Sequence, residues 1–330
     1  MTKTEKKLRQ LNTLIEMTAL INSTLDIAEI KRRTIDAATT LLGAEAGSLL
    51  LRSSEGDLTF DIALGKKSDR LKSLRLQRGV GIAGWVLEHE KGQIVNDVGK
   101  DPRFFKEADE ISGYKTKNLI CVPLKSKDST IGVIEVVNKK TGLFDKDDLE
   151  MLEALSNQVA LAIENARLYE EAVTDSLTGL YHHRYFELRL SEEIERAKRY
   201  AHPLSLIMLD IDHFKAINDR YGHPRGDVVL ASIANILKGC TRKGDTVARY
   251  GGEEFAIIMP HISGKRAVAA AERLRRTIEE SDLGGIKLTV SIGVSCFEHE
   301  TMTKDRLIKL ADSALYRAKK NGRNRVEVLY

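Results

Sequence analysis

Apolar positions at helical spacing open the chain. Leu8, Leu11, Ile15 and Thr18 step by 3, 4 and 3, and Leu14 and Ile21 widen the stripe, so residues 5–22 read as an amphipathic helix. A second helix is predicted in "NSTLDIAEIKRRTIDAATTLLGA", with Asp26 as its N-cap and Gly43 as its stop. The pattern then turns to alternation. "EAGSLLLRSSEGDLTFDIAL" reads as a hairpin, and "GVGIAGWVLEHEKGQIVNDV" as a short helix followed by a strand. "NLICVPLKSKDSTIGVIEVVNKK" reads as another hairpin, turning near Lys127, Asp128 and Ser129. Together these predict a mixed α+β domain built on an antiparallel sheet.

Residues 145–175 are predicted as one long helix. Leu152, Leu155, Val159, Ala162, Ala166, Tyr169 and Val173 alternate steps of 3 and 4, which is a heptad seam. The seam runs past the sheet and into a linker. That favours a coiled coil between two copies of the chain over a helix packed on its own domain. After "TDSLTGL" come helix 183–200, the strand "LSLIMLDID", helices 214–221 and 227–239, and a hairpin around "RYGGEEFAIIMP". Helix 263–281, the strand "IKLTVSIGVSCF", helix 304–320 and a last strand, "RVEVLY", complete the chain. This order predicts a second α+β domain with a ferredoxin-like core.

Composition narrows the class. A chain of 330 residues suits about two domains of ~150 residues. With 42% hydrophobic and 30% charged residues, it is an ordinary globular sequence. The net charge of +4 is small and its charges are interspersed, so no nucleic-acid partner is expected. No apolar run approaches the ~18 residues of a membrane span. "MTKTEKKLRQ" also lacks the apolar core of a signal peptide. A cytoplasmic protein without membrane contact is the expectation. Cys121, Cys240 and Cys296 lie far apart without metal-ligand spacing, which suits reduced, buried thiols. Cys121 and Trp85 read as core.

Carboxylates carry the candidate chemistry. The strand "LSLIMLDID" is apolar until Asp210 and Asp212, which alternation puts on one face with Ile211 opposite. Acids just past a buried strand either cap the next helix or hold a cation. "RYGGEEF" decides between these. Gly251-Gly252 is a hairpin-turn dipeptide that lets backbone approach a bound group, and Glu253 and Glu254 follow on opposite faces. If this hairpin neighbours the Asp210 strand, Glu253 and Asp210 converge on one hard cation. Oxygen ligands suit Mg²⁺, which keeps positions free for phosphate oxygens. Lys215, Lys319 and Arg323, the last after an Asn321-Gly322 cap, can offset phosphate charge. Asn218 and Asp227 can read a base, because a carboxylate accepts both the N1 and amino protons of guanine, which adenine cannot offer together. Asp227 also reads as the N-cap of helix 228–239.

These residues resemble the GGDEF family of diguanylate cyclases, in its GGEEF form. "DIDHFKAINDRYGHPRGD", "RYGGEEF", "DSLTGL", "VSIGVS" and "LYRAKKNGRN" match the family's blocks in order over residues 174–330. One departure is "YHHRYF" at 181–186, where the family usually carries an asparagine. The resemblance implies a palm-like fold that condenses two GTP into cyclic di-GMP and two pyrophosphates. It implies that Asp210, Glu253 and the Ile211 carbonyl hold Mg²⁺, or Mn²⁺ in its place. Glu253 would also help deprotonate the 3′-hydroxyl, and Glu254 would support the metal. Asn218 and Asp227 would contact guanine, Lys319 and Arg323 the phosphates, with Phe214, Lys215, His223, Gly251 and Gly252 along the nucleotide. A twofold-symmetric product from one GTP site per chain requires two chains face to face. "RKGD" supplies Arg242 and Asp245, which with Arg273 match the family's product-inhibition site.

The first half resembles a GAF sensor domain through "GVGIAGWV", "DPRF", "GYKTKNLICVPL", "IGVIEVVNK" and "LSNQVALAIENARLYEE". Some GAF domains bind cyclic nucleotides with an NK…F…DE signature. Asn138, Lys139, Phe144 and Asp148 fit it, but Leu149 stands where Glu belongs. Structurally, Asn138 ends a strand and Asp145 or Asp148 caps the exit helix. The expected organisation is an N-terminal helix (1–22), a GAF domain (23–146), a linker helix (147–174) and a GGDEF domain (175–330), acting as a homodimer. Two other readings stay open: an inactive receptor for cyclic di-GMP, and a cyclase that also makes cyclic GMP–AMP.

Overall fold

The computed structural model describes residues 3–53, 55–64, 71, 74–126, 129–297 and 302–330. Contacts within the chain divide it into two units, Met1–Tyr169 and Glu170–Tyr330.

The first unit runs α1 (Lys3–Asn22), α2 (Ile27–Leu42), β1 (Ala44–Arg52), β2 (Leu58–Leu64), β3 (Arg75–Leu76), α3 (Gly81–His89), β4 (Gln93–Val95), α4 (Lys106–Ser112), β5 (Leu119–Lys125) and β6 (Thr130–Lys139). It ends in α5 (Lys146–Val173). Its strands form an antiparallel sheet in the order β3-β2-β1-β6-β5-β4. The Asp26 carboxylate accepts the amides of Ala28 and Glu29 at 3.0 and 3.2 Å, and Gly43 ends α2 with φ 60°. Both ends lie where the sequence put them. Asp145 and Asp148 cap α5 reciprocally, each carboxylate accepting the other's amide at 2.9 Å. The hairpin turn expected at Lys127, Asp128 and Ser129 lies largely outside the described residues.

Alternation along each strand feeds two cores. Ile120, Val122, Ile134 and Val136 pack with α2 and α5 on one face; Leu119, Cys121 and Val133 pack with α3 on the other. The heptad seam meets a correction here. Leu152, Leu155, Val159, Ala162 and Ala166 are buried in the chain's own core. A 3.6-residue period marks an apolar face but does not name what covers it. The side of α5 away from that core leaves Leu161, Leu168 and Tyr169 exposed at 47%, 54% and 42%.

The second unit comprises β7 (Tyr181–His182), α6 (His183–Tyr200), β8 (Leu204–Ile211), α7 (Phe214–Tyr221), α8 (His223–Cys240), β9 (Thr246–Arg249) and β10 (Glu254–Pro260). It continues through α9 (Gly264–Glu280), β11 (Val290–Phe297), α10 (Lys304–Lys320) and β12 (Val326–Leu329). The sheet order is β12-β11-β8-β10-β9-β7. Every residue of β8 is buried, between antiparallel β10 and β11. Ile207, Leu209 and Ile211 face α8 and α9, while Leu204, Leu206 and Met208 face α6 and α10. Gly293 in β11 brings α10 very close: a Cβ there would lie 2.2 Å from the Ala311 carbonyl oxygen. At the departure noted above, the His182 imidazole accepts the Tyr185 amide at 3.3 Å and caps α6 itself. Helix α8 starts four residues earlier than expected, after Gly222 at φ 81° and with Pro224 in its first turn. Asp227 is therefore inside the helix and is not its cap. Cys121 and Cys296 are buried as expected, but Cys240 is half-buried. Trp85 is partly buried, stacked on His89 and covered by Arg103. Among the described residues, no helix is long and apolar enough to cross a membrane.

Candidate active site

The site forms where β8 ends beside the β9–β10 turn. Pairing of β10 with β8 sets Glu254 directly opposite Asp210. Directly opposed residues share a face, so Asp210 faces Glu254 across the ladder. Glu253 joins through its backbone, whose carbonyl accepts the Ile211 amide at 3.4 Å. Asp210, Ile211, Glu253 and Glu254 are thus brought together.

Electrostatics at this corner are unbalanced. Burial raises the proton affinity of Asp210, with Glu254 and Asp212 adding repulsion and Lys319 opposing. Burial also raises Glu253, and Asp210 raises it further. Lys319, from the last turn of α10, donates to Asp210 Oδ2 at 2.7 Å. Among the described residues, no group of three or more His, Cys, Asp and Glu side chains is gathered tightly enough to hold a metal by itself.

Asp212 shares the face of Asp210, as alternation predicts, since both meet Ser291, but its carboxylate is taken up by other bonds. It lies one residue past β8 and accepts the hydroxyls of Ser291 at 2.6 Å and Thr289 at 2.7 Å, and the Asn324 amide at 3.1 Å. Those bonds tie β8 to β11 and to the turn after α10. That turn carries Arg323, exposed at φ 62°, with its amide on the Ala318 carbonyl. Asn321 caps α10 as expected.

The two turn glycines also differ from expectation. Neither adopts the left-handed backbone of a tight two-residue turn. Tyr250 and Gly251 both donate to the Glu254 carbonyl, at 2.8 and 3.1 Å, which leaves a wider loop. A Cβ on Gly251 would lie 2.7 Å from the Glu254 carboxylate, which would have to swing aside. Gly252 faces open space. Sequence reasoning missed what holds this loop. Arg249 donates to the Gly252 carbonyl at 2.8 Å and grips the Asp175 carboxylate at 3.1 and 3.2 Å. Asp175 also accepts the Thr178 amide and hydroxyl, so "DSLTGL" is a brace for the glycine loop. The charge-matched Arg and Asp were the available signal.

Gly226, next to Asp227 on α8, packs against Asn218 on α7. A Cβ at Gly226 would lie 2.0 Å from Asn218 Oδ1, an atom that is buried and has no hydrogen-bond partner. Asp227, His223 and Lys215 are exposed, whereas Phe214 is buried in the core. At another corner, the Asp245 carboxylate accepts the Arg242 amide at 2.9 Å. Arg273 reaches from α9 to the Cys240 carbonyl at 3.1 Å, two residues before Arg242. These three form one cluster with the Arg242 side chain exposed.

In the first unit, the NK…F…D residues form an internal knot. Asn138 accepts the Lys117 amide at 2.8 Å and donates to Glu45, Tyr114 and the Lys115 carbonyl. Lys139 pairs with buried Asp148 and lies over Phe144 at 5.6 Å. None of the four is among the described residues lining the cavity between β1, β6, α3 and α4. They fasten β6 to the start of α5, which bears out the strand-end and cap roles.

Known proteins match in the same order. Residues 172–325 fit the family model "Diguanylate cyclase, GGDEF domain", and residues 26–163 fit that of the GAF domain. Diguanylate cyclase A of Treponema denticola is 33% identical over 327 residues, covering 96% of this chain and 86% of that one. The response regulator PleD of Caulobacter vibrioides is 42% identical over 163 residues, 48% of this chain and 36% of its own. Among solved structures, the coiled coil and GGDEF domain of DgcB from Caulobacter crescentus, in complex with c-di-GMP, is 31% identical. It covers 51% of this chain and 92% of its own, at a TM-score of 0.49. A likeness to a diguanylate cyclase along nearly the whole chain, over both domain models, means that this protein belongs to the GGDEF-family diguanylate cyclases that carry a GAF domain ahead of the catalytic one.

Proposed function

We propose that the corner between β8 and the glycine loop is where the chain condenses two GTP into cyclic di-GMP and two pyrophosphates. Residues 175–330 act as the cyclase, 147–174 as the connecting helix and 23–146 as the sensor. One observation carries the site assignment: Asp210 opposes Glu254 in register while Ile211 bonds Glu253, with Lys319 alongside. GGDEF cyclases generally depend on a divalent metal. The donor set fits one, because it is all oxygen and its carboxylates are crowded enough to hold protons above their usual range. Asp210, Glu253 and the Ile211 carbonyl would hold Mg²⁺, with Glu254 beside them. When bound, the ion would stabilise charge developing on the α-phosphate and lower the proton affinity of the 3′-hydroxyl.

The chain's own groups do the rest. Lys319 is free to move from Asp210 to a phosphate once another cation balances that carboxylate, and Arg323 adds a second charge from its pinned turn. Glu253 takes up the 3′-hydroxyl proton. Asp227 accepts the guanine N1 and amino protons, and the unpartnered Asn218 oxygen beside it supports the same edge. The Arg242, Asp245 and Arg273 corner holds product and restrains turnover. Because each chain supplies one GTP site, two chains face each other, each 3′-hydroxyl attacking the other's α-phosphorus.

Purified protein incubated with Mg²⁺ and GTP should yield cyclic di-GMP. Adding equimolar ATP should leave cyclic GMP–AMP a minor product. Absence of any cyclic product would leave the inactive-receptor reading; abundant mixed product would refute the guanine assignment.

A further inference from the structure

The first unit has a half-open cavity of about 100 Å³ between β1, β6, α3 and α4. That is several times the ~10–15 Å³ that seats one water. Phe60, Leu76, Ile82 and Phe105 give it apolar walls. Two acids, Glu135 of β6 and Asp109 of α4, interrupt them. No lysine, arginine or histidine is among the described residues that line it.

The two acids are not equivalent. Asp109 is satisfied, accepting both the amide and the hydroxyl of Thr116 at 2.7 Å. Glu135 has the Ser48 hydroxyl beside it, and among the described residues no basic side chain pairs with it. Glu135 is half-buried and lines the cavity. Burial, and then the charge of Asp109, push its carboxyl up to about 7, with Ser48 opposing. Cys121, opposite Glu135 on β5, is a fully buried thiol held neutral by desolvation and by Glu135. An ionised carboxylate in such a place has no counter-charge among the described residues, and a bound anion would add a second negative charge.

We propose that this cavity binds a small, flat, mostly apolar molecule carrying a positive charge or paired N–H donors, seated on Glu135, and that it rejects phosphates. This would make the sensor a receptor for an amine-like or amidine-like compound, in place of a cyclic nucleotide. It stands apart from the cyclase assignment and rests on none of its residues.

Three near-isosteric probes test it on the full chain at pH 8: benzamidinium, neutral benzamide and benzoate, with cyclic AMP and cyclic GMP alongside. Calorimetric titration should rank benzamidinium first, at least about tenfold tighter than benzoate, with no cyclic nucleotide binding in this unit. Lowering the pH to 6 should weaken benzamidinium and leave benzamide unchanged. Glu135→Gln should abolish the charge preference. If that variant does not fold, Ala108→Leu, which fills the cavity and keeps Glu135, should abolish benzamidinium binding. Benzoate or a cyclic nucleotide binding as tightly as benzamidinium would overturn the proposal. So would the absence of benzamidinium binding, or its survival unchanged in Glu135→Gln or Ala108→Leu.

Discussion

Single carboxylates should set the behaviour of the proposed catalytic corner. Glu253→Gln keeps the shape of the side chain and removes its charge and basicity. Turnover should fall at least about 100-fold with thermal unfolding essentially unchanged, since Glu253 is bonded into the fold through its backbone carbonyl. Near-normal turnover would contradict the role given to Glu253. The raised proton affinities of Asp210 and Glu253 have a further consequence. In the window between the ordinary and the raised values, the folded chain holds protons that the unfolded chain has lost. These groups therefore stabilise the fold less as pH rises through that window. A divalent cation requires the ionised forms and must expel those protons. Mg²⁺ should accordingly raise the unfolding temperature more at pH 8 than at pH 5, and Asp210→Asn should erase the difference. Equal Mg²⁺ effects at both pH values would rule out this corner as the metal's seat.

Elements bring these residues into range, and small residues decide how near they come. Gly226 lets α8 press against Asn218 on α7. Gly226→Ala forces the two helices apart or turns the Asn218 amide. We expect a loss of about 1–3 kcal/mol in stability and a raised KM for GTP, with kcat changed less. Chemical denaturation and steady-state kinetics would show it, and a fall in kcat alone would argue that this helix pair does not hold the base. The other corner of the domain uses the end of α8. Arg242 is exposed there, and its side chain is given no part in the catalytic corner. Arg242→Ala should thus leave the initial rate intact and delay the slowing of progress curves as product accumulates. Unchanged slowing would remove the inhibitory role.

At the scale of the whole molecule, the proposed reaction calls for two chains. Specific activity should fall on dilution, with a rate rising faster than linearly in protein until the dimer saturates. Strict proportionality down to concentrations where sedimentation shows monomer would exclude catalysis across a pair. The faces available for pairing are narrower than the seam along α5 suggested. Its first five positions are occupied by the chain's own core, leaving Leu161, Leu168 and Tyr169 of α5 and Leu8, Leu11 and Ile15 of α1 exposed.

Much of this was written locally. Helix ends at Asp26, Gly43, Asp145 and Asn321 follow from caps that act over a few residues, and the strand "LSLIMLDID" announces a buried centre by its composition. The acids of the site were legible for the same reason: charge at the end of an apolar strand and on a glycine loop is costly unless used. Other features depended on residues far apart in the chain. Asp212 serves β11 instead of the site, Arg249 ties the glycine loop to Asp175, and Glu135 faces a cavity with no cation among the described residues that line it. Sequence patterning fixes which side chains must leave water and which turns the backbone can make. Only three-dimensional packing determines which partner each buried charge meets, because that depends on strand register and helix approach, and neither is encoded at short range.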